Sequence, residues 1–292
     1  MPTIDCQRFC QAMGSRFEVR LLGDDEERLD SVAIAVIEEI VRLDSVLSRF
    51  DPRSEIARIN REARDRPARL DQEVFELLER CDQWRRLTAG YFDVTASGNV
   101  GKAGDDAVDS GETSGLLLDA ESHTARFARE GVSIDLGAVG KGYALDRGRE
   151  IMLRFGVTCG LLNGGSSSVL AVGVPPEIMA GIMGWPVAVR HPLEPDAAPV
   201  AHVELADRAL SCSAARHAGQ QRSDVLNPLT GLPLEGDAAC LTLAATAADA
   251  EVFSTALLAM GREKAKHYLE RTPCRDLAAG WFEPESGFSW MQ

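Results

Sequence analysis

The sequence predicts an α+β protein, a single large domain with central, mostly antiparallel sheets and helices at both ends. Two amphipathic helix patterns occupy the first third of the chain, and short apolar runs broken by glycine and proline follow them. Strands that follow one another, rather than alternating with helices, favour antiparallel pairing over a doubly wound parallel sheet. A chain of 292 residues can bury a sizeable core, and we expect one domain over residues 1–292.

The amino-terminal part is predicted to begin with a strand over Arg16–Leu21, which leads into a helix. Apolar residues recur every three or four positions in this helix, which is the spacing of one buried face. These residues are Leu29, Val32, Val36, Ile40, Leu43 and Leu47. A second helix shows the same pattern at Val74, Leu77, Leu78, Cys81, Trp84 and Leu87. The stretch 98–115 is rich in glycine and aspartate without periodicity, and predicts a mobile loop.

A hairpin is predicted next, with strands over Gly115–Asp119 and His123–Ala128, and it leads into a strand over Val132–Leu136. A helix is expected over Gly140–Phe155. Further strands are expected over Gly160–Asn163, Ser168–Val172, Pro186–Arg190, Ala201–Leu205, Ala209–Ser213 and Leu241–Ala245. Prolines and glycines mark a loop over 174–185, and a last helix is expected over Asp249–Met260.

Composition limits the possible partners and the location. The net charge of −14 argues against nucleic acid and anionic membrane surfaces, because both carry negative charge. No apolar run of about 18 residues is present, so no membrane insertion is expected. Seven cysteines without a C-x-x-C pair suggest free thiols in a reducing compartment. We therefore expect a cytoplasmic protein, although an exported protein whose leader had been removed would look the same. The sequence predicts no oligomeric state.

The segment Asp135–Asp146 carries most of the chemical information. Three glycines and Lys141 lie where an apolar run changes into a helical pattern. Free N–H groups at a helix start, the helix dipole and a lysine together favour an anion such as a nucleotide phosphate. A Walker A loop is excluded, because Asp135 occupies the place of its first glycine and Gly142 that of its hydroxyl residue. A plain structural turn with a solvated lysine stays open.

Other segments form an ordered series of motifs with this one. The series is Met13-Gly14-Ser15, Ser48-Arg49-Phe50, Ser54-Glu55-Ile56 with Asn60, Gly90-Tyr91-Phe92-Asp93-Val94-Thr95, Asp135–Asp146, Asn163-Gly164-Gly165, Asn227-Pro228-Leu229-Thr230-Gly231 and Ala250–Leu257. In order and spacing, over nearly the whole chain, the series resembles the FAD:protein FMN transferases, the ApbE-type flavin transferases. The resemblance implies that FAD is the substrate, that Mg²⁺ assists, and that FMN moves to a threonine or serine hydroxyl of an acceptor protein with release of AMP.

The resemblance also implies roles for individual residues. Asp135 and Lys141 would be catalytic, and both would contact the flavin nucleotide. The other residues implied in nucleotide binding are Met13, Phe50, Tyr91, Phe92, Asp93 and Val225. The implied metal ligands are the Ala138 carbonyl, Glu251, Ser254 and Thr255. Glu251 and Thr255 are four residues apart, so a helix would present both on one face.

Several positions depart from the pattern of that family. Glu251 stands where an aspartate is expected, and Phe50 where a tyrosine is usual. Asp224 replaces a histidine, Asn227 replaces an aspartate, and Ser167 lies nearest to a missing acid. A catalytically weak flavin- or nucleotide-binding module and an FAD pyrophosphatase therefore remain alternatives. A structural role of Glu251 at a helix start also stays open.

Overall fold

The computed structural model describes residues 3–96, 115–176, 183–272 and 276–291. The helices of these residues are α1 (Glu26–Leu47), α2 (Glu55–Glu62), α3 (Gln72–Leu87), α4 (Gly140–Arg154), α5 (Ala247–Met260) and α6 (Arg262–Arg271). Their strands are β1 (Ile4–Ala12), β2 (Ser15–Gly23), β3 (Ala68–Arg69), β4 (Leu116–Asp119), β5 (Thr124–Phe127), β6 (Gly160–Gly164), β7 (Ser168–Val172), β8 (Trp185–Val189), β9 (Ala201–Leu205), β10 (Ala209–Ala214), β11 (Leu226–Asn227), β12 (Leu232–Pro233), β13 (Ala239–Ala244), β14 (Ala278–Glu283) and β15 (Gly287–Met291).

The centre of the fold is an eight-stranded sheet in the order β1-β2-β6-β7-β10-β13-β14-β15. Each neighbouring pair in this sheet is antiparallel. Helices α1, α4 and α5 pack on the sheet, and a small sheet of β3, β5 and β4 lies beside α2. The predicted α+β class with mostly antiparallel sheets is confirmed.

The two faces of the sheet have different neighbours, as β10 illustrates. Ser211 and Ser213 point to α5, where their hydroxyl groups contact those of Ser254 and Thr255. Leu210 and Cys212, which alternate with these serines in the pleat, pack in the apolar cluster that contains Trp185 and Leu205 of the β8–β9 hairpin. This alternation follows from the two-residue period of a strand. It places hydroxyl groups beside α5 and an apolar layer on the opposite face.

Both amphipathic helices that the sequence predicts are present. In α1, all six predicted apolar positions are buried, and the Asp25 side chain accepts a hydrogen bond from the Arg28 N–H at the helix start. In α3, the predicted face is buried except for Leu87, which is 56% exposed at the carboxyl end. The predicted last helix begins two positions early, at Ala247, where Thr246 accepts a hydrogen bond from the Asp249 N–H.

The predicted strand over Val132–Leu136 is wrong. The segment is extended and buries Val132, Ile134 and Leu136, but it joins no ladder among the described residues. The amide side chain of Asn60 takes the place of a neighbouring strand. Its Oδ1 accepts from the Ile134 N–H at 2.7 Å, and its Nδ2 donates to the Ile134 carbonyl at 2.9 Å. The apolar alternation predicted the extended shape correctly, but it carries no information about hydrogen-bond partners.

Some elements were not predicted, and the predicted loops are only partly described. The sequence patterns did not indicate β1, α2, α6, β14 or β15; in α6 only Ala265 is buried, so its apolar face is too small to give a period. Of the two predicted loops, residues 98–114 and 177–182 lie outside the described residues. Trp185, the last residue of the second predicted loop, begins β8.

Helices α4 and α5 approach each other closely at Gly142. A Cβ atom built on Gly142 would lie 2.4 Å from the Ala247 carbonyl oxygen, well inside contact distance. Only glycine allows the two backbones to pack at this distance. The first turns of the two helices therefore lie side by side.

We predict that Gly142→Ala destabilises the protein by at least about 2 kcal/mol, because the methyl group forces the two backbones apart. Gly140→Ala is the matched control in the same turn, where the added Cβ meets only the Met13 sulfur, at 3.9 Å. Urea unfolding of both variants measures the difference. Equal stability of the two variants would contradict a tight α4–α5 contact.

We also predict that Asn60→Ala lowers the free energy of unfolding by about 1–3 kcal/mol, because it leaves the N–H and the carbonyl of Ile134 without partners. Asn60→Asp keeps an acceptor for the N–H but loses the donor, so an intermediate loss is expected. Urea unfolding at pH 7 ranks the three proteins. A change below about 0.5 kcal/mol for Asn60→Ala, the size of an ordinary surface substitution, would count against this role.

Candidate functional site

A cleft of about 850 Å³ lies where the starts of α4 and α5 meet the end of β10. Its walls come from segments far apart in the sequence, around residues 49–50, 91–96, 135–141, 211–217 and 223–233. Ten of the residues predicted for the site line this cleft: Phe50, Tyr91, Phe92, Asp93, Asp135, Ala138, Lys141, Val225, Glu251 and Thr255. The fold thus brings most of the predicted site residues to one place.

Met13 and Ser254 are not among the residues that line the cleft. Met13 forms the two-residue turn between β1 and β2 with Gly14, and both have positive φ angles, 50° and 67°. This is the geometry of a type I′ hairpin turn. The turn holds the Met13 sulfur near Gly140, at the start of α4. Ser254 is fully buried and lies behind the cleft wall.

Lys141 and Glu251 form an ion pair at the base of the cleft. The Lys141 Nζ lies 2.9 Å from the Glu251 Oε1, with side chains 19% and 4% exposed. Glu251 accepts two further hydrogen bonds, from the Ser168 hydroxyl at 2.6 Å and from the Gly142 N–H at 2.7 Å. The Gly142 N–H, which the sequence suggested for a phosphate, is therefore used inside the protein.

Asp146 makes the reciprocal contact from α4 to α5. Its two carboxylate oxygens accept from the N–H groups of Ala247 and Ala248, at 2.7 and 3.0 Å. Burial raises the pKa of Asp146 to about 6, although both backbone hydrogen bonds act to lower that pKa. Each helix thus supplies a carboxylate to the first turn of the other, where the free N–H groups lie.

The rim of the cleft carries a second ion pair, between Arg49 and Asp135. The Arg49 Nη1 lies 3.2 Å from the Asp135 Oδ2, and the guanidinium also lies over the Phe50 ring, 4.6 Å from its centroid. The Asp135 Oδ1 accepts from the Gly137 N–H at 2.9 Å, which shapes the turn before α4. Phe50 is 81% exposed, so its ring is available to a planar ligand or a partner.

Contacts within the protein hold the wall formed by Tyr91, Phe92 and Asp93 in place. Phe92 is buried, with its ring edge-on to Trp84 at 6.1 Å between centroids. The Asp93 Oδ1 accepts from both the N–H and the hydroxyl of Thr95, each at 2.7 Å. Asp93 therefore closes its own turn with Oδ1, while its Oδ2 accepts no hydrogen bond from the residues that the structure describes.

A row of hydroxyl groups lies between β10 and α5. The Ser213 Oγ lies 2.8 Å from the Ser254 Oγ and 3.1 Å from the Thr255 Oγ1. The Ser254 Oγ also lies 3.2 Å from the Ser211 Oγ and 3.0 Å from the Glu251 carbonyl oxygen, and its single hydroxyl hydrogen can be donated to one of them at a time. Ser213 and Thr255 line the cleft and can exchange hydrogen bonds with a ligand.

The sequence reasoning missed other residues of the cleft, among them Arg49, Cys212, Ser213 and His217. Arg49 adjoins Phe50 in a quoted motif, and the Ser-x-Ser spacing of β10 is a signal for hydroxyl groups on one face. Burial raises the pKa of Cys212 to about 12, which favours the protonated thiol near neutral pH. His217 is the only one of the five histidines that lines the cleft.

Comparison with known proteins identifies the family. A model of the ApbE family matches residues 13–279, most of the chain. The chain belongs to the ApbE family. A relative named FAD:protein FMN transferase, from Klebsiella pneumoniae (strain 342), is 25% identical over 287 residues, which cover 88% of this chain and 79% of the relative. A protein of the same name from Treponema pallidum (strain Nichols) is 24% identical over 273 residues, covering 82% of this chain and 75% of the relative.

Solved ApbE structures share the fold. The ApbE protein of Thermotoga maritima superposes with a TM-score of 0.81 at 22% identity, covering 99% of this chain and 97% of the other. The flavin transferase ApbE of Vibrio cholerae gives a TM-score of 0.79 at 17% identity, with the same coverage.

Among the described residues, none of the helices combines the length and the apolar character that a membrane span requires.

The Mg²⁺ that the family resemblance implies does not fit the donor groups of this ApbE-family chain. Ala138, Glu251 and Thr255 share the cleft, but three donors, one of them an ammonium group, already surround the Glu251 carboxylate. The Ser254 hydroxyl is buried among protein partners. Within the described ranges, no group of three or more His, Cys, Asp or Glu side chains could hold a metal ion.

The raised pKa of Asp146 predicts a pH dependence of stability. The folded state holds a proton on Asp146 more tightly than the unfolded state, whose aspartate pKa is about 4. This contribution is fully present below about pH 4 and is lost as the pH rises through about 6.

Wild type should therefore lose about 2–3 kcal/mol relative to Asp146→Asn between about pH 4 and pH 7. Urea unfolding at several pH values in this range measures the difference between the unfolding free energies of the two proteins. The contributions of the other titrating groups are common to both proteins and cancel in this difference. Parallel stability curves would contradict the raised pKa.

Proposed function

We propose that this chain transfers FMN from FAD to a threonine or serine hydroxyl of an acceptor protein and releases AMP. The observation that carries the proposal is the Lys141 ammonium at the base of an 850 Å³ cleft in a chain of the ApbE family. Relatives across most of the chain carry the name FAD:protein FMN transferase, which supports the same class of reaction here.

The proposed reaction exchanges a phosphoanhydride bond of FAD for a phosphoester bond to the acceptor. The acceptor hydroxyl oxygen forms a bond to the phosphorus of the FMN half of FAD. The bond from that phosphorus to the bridging oxygen breaks, and the bridging oxygen leaves as part of the AMP phosphate. The hydroxyl proton passes to a basic group of the cleft or to water. Such a transfer depends mainly on positioning and on stabilising charge at the pyrophosphate.

Lys141 supplies the positive charge for this step. An ammonium group has three N–H bonds, and within the described part of the chain only Glu251 accepts one of them. Two N–H bonds are thus left for phosphate oxygens. The hydroxyl groups of Ser213 and Thr255 add neutral donors nearby. The proposed transfer does not use a Mg²⁺ ion on Glu251, because the Glu251 carboxylate already accepts hydrogen bonds from protein groups.

The other predicted residues take binding roles in this proposal. Asp135 at the rim accepts a hydrogen bond from a hydroxyl group of the flavin nucleotide or of the acceptor. Phe50, Tyr91 and Phe92 offer ring surface to the isoalloxazine or the adenine, and Val225 adds apolar contact. The strongly exposed Phe50 also lies where an acceptor protein would approach.

The decisive experiment mixes the purified chain with FAD and a set of synthetic peptides, each with a single threonine or serine. Fluorescent peptide together with released AMP is the expected result, and alanine versions of the reactive peptides should stay unlabelled. AMP release without any labelled peptide would instead favour FAD hydrolysis. Tight FAD binding without AMP release would identify a binding module. Either result overturns the proposed transfer.

We predict that Lys141→Met weakens FAD binding about 10- to 100-fold, because a charge-assisted contact to phosphate is lost. The double variant Lys141→Met/Glu251→Gln should bind FAD as weakly as the single variant, although it leaves no unpaired charge in the cleft wall. Weak binding by the double variant therefore reports the lost phosphate contact and not the effect of an unpaired Glu251 carboxylate. Lys266→Met, on the exposed side of α6, is the control for loss of a lysine. Flavin fluorescence titration measures the FAD affinity of all three variants. Wild-type affinity in the double variant would show that Lys141 does not contribute to FAD binding.

A further inference from the structure

In the Lys141–Glu251 pair, Glu251 holds the positively charged Lys141 ammonium at a fixed position in the cleft. Glu251 is almost completely buried at the start of α5, and Lys141 lies at the start of α4 with its ammonium in the cleft. The pair lies where the two helices begin side by side, so short backbone segments fix both residues. The ammonium thus occupies a defined position beside the Glu251 carboxylate.

The surroundings of Glu251 leave little room for a divalent ion. Its Oε1 accepts from both the Lys141 ammonium and the Ser168 hydroxyl, and its Oε2 accepts from the Gly142 N–H. Mg²⁺ binds carboxylate oxygens at about 2.0–2.1 Å in nearly ideal octahedral geometry. An ion at that distance would have to displace Lys141 or lie beside it against charge repulsion.

The length of the glutamate side chain explains why these contacts form. Glu251 reaches across to the backbone of α4, 109 residues earlier in the chain, and meets the Gly142 N–H at 2.7 Å. An aspartate on the same backbone is shorter by one carbon–carbon bond, about 1.5 Å. Its carboxylate would be drawn back from Gly142 and Lys141 towards Thr255 on its own helix.

We propose that the Lys141 ammonium, held by Glu251, replaces a divalent cation at this position, so that the chain binds its pyrophosphate ligand without a metal ion on Glu251. The identity of that ligand rests on the function proposed above. The pyrophosphate then faces the single positive charge of the Lys141 ammonium instead of the double positive charge of a divalent cation. Specificity for the diphosphate depends correspondingly more on the neutral donors of Ser213 and Thr255.

The first test measures metal binding directly and needs no flavin. Mn²⁺, which can substitute for Mg²⁺ at oxygen ligands, is titrated into wild type, Glu251→Gln and Glu251→Asp, and free Mn²⁺ is followed by electron paramagnetic resonance. Wild type and Glu251→Gln should bind Mn²⁺ equally. Glu251→Asp should bind it at least about tenfold more tightly, because its carboxylate is free to ligate.

Two results of this titration would overturn the proposal. One is Mn²⁺ binding by wild type that Glu251→Gln weakens about tenfold or more, since Glu251 would then be a ligand. The other is the absence of any gain in Glu251→Asp, since the reach of glutamate would then not be what excludes the ion.

A second test separates this inference from the proposed function. FAD is titrated into wild type and Glu251→Gln in EDTA and in excess Mg²⁺, with flavin fluorescence as the readout. Wild type should bind FAD with the same affinity, within about twofold, in both conditions. A large gain with Mg²⁺ that Glu251→Gln abolishes would overturn the inference and leave FAD binding intact. Failure to bind FAD in either condition would refute the proposed function, while the Mn²⁺ comparison still decides the metal question.

Discussion

The close contact between α4 and α5 positions the residues of the site. At Gly142 the two backbones pass so near to each other that a methyl group would overlap the Ala247 carbonyl. Each helix also supplies a carboxylate to the first turn of the other, Asp146 to α5 and Glu251 to α4. These contacts satisfy N–H groups that a helix start leaves free. They fix the position of the two helices relative to each other by direct contacts between them.

The cleft follows from this contact. Because α4 and α5 begin at the same place, Lys141 of one helix and Thr255 of the other face the same space. The serines of β10 complete the wall, since the pleat of the strand turns Ser211 and Ser213 towards α5. The hydroxyl groups between helix and sheet bond to one another, which holds their oxygen atoms in place before a ligand arrives.

Two of the acidic residues that line the cleft are paired with cations. The chain carries a net charge of −14, and acidic residues line a site proposed for an anionic ligand. The two carboxylates nearest to the start of α4 each have a cation, Arg49 for Asp135 and Lys141 for Glu251. Pairing removes most of the repulsion that these acids would exert on a phosphate. Both cations keep surface in the cleft, so they can contact a ligand without leaving their partners.

Local spacing in the sequence was enough to predict several features of the fold. The buried faces of α1 and α3, the β4–β5 hairpin and the position of Lys141 at a helix start follow from residues close together in the chain. The motif series also predicted most of the residues that line the cleft, although it placed Met13 and Ser254 in the site, where they do not line it.

Contacts between distant groups depend on how the elements pack. Asn60 stands in for a strand beside Ile134, 74 residues away, and Glu251 bonds to Gly142 and Lys141 rather than to its own helix start. A period of two or of 3.6 residues reports which side of an element is buried, but not what lies opposite. The Glu251 carboxylate reaches the Gly142 N–H of the neighbouring helix, and that distance exists only after the helices have packed.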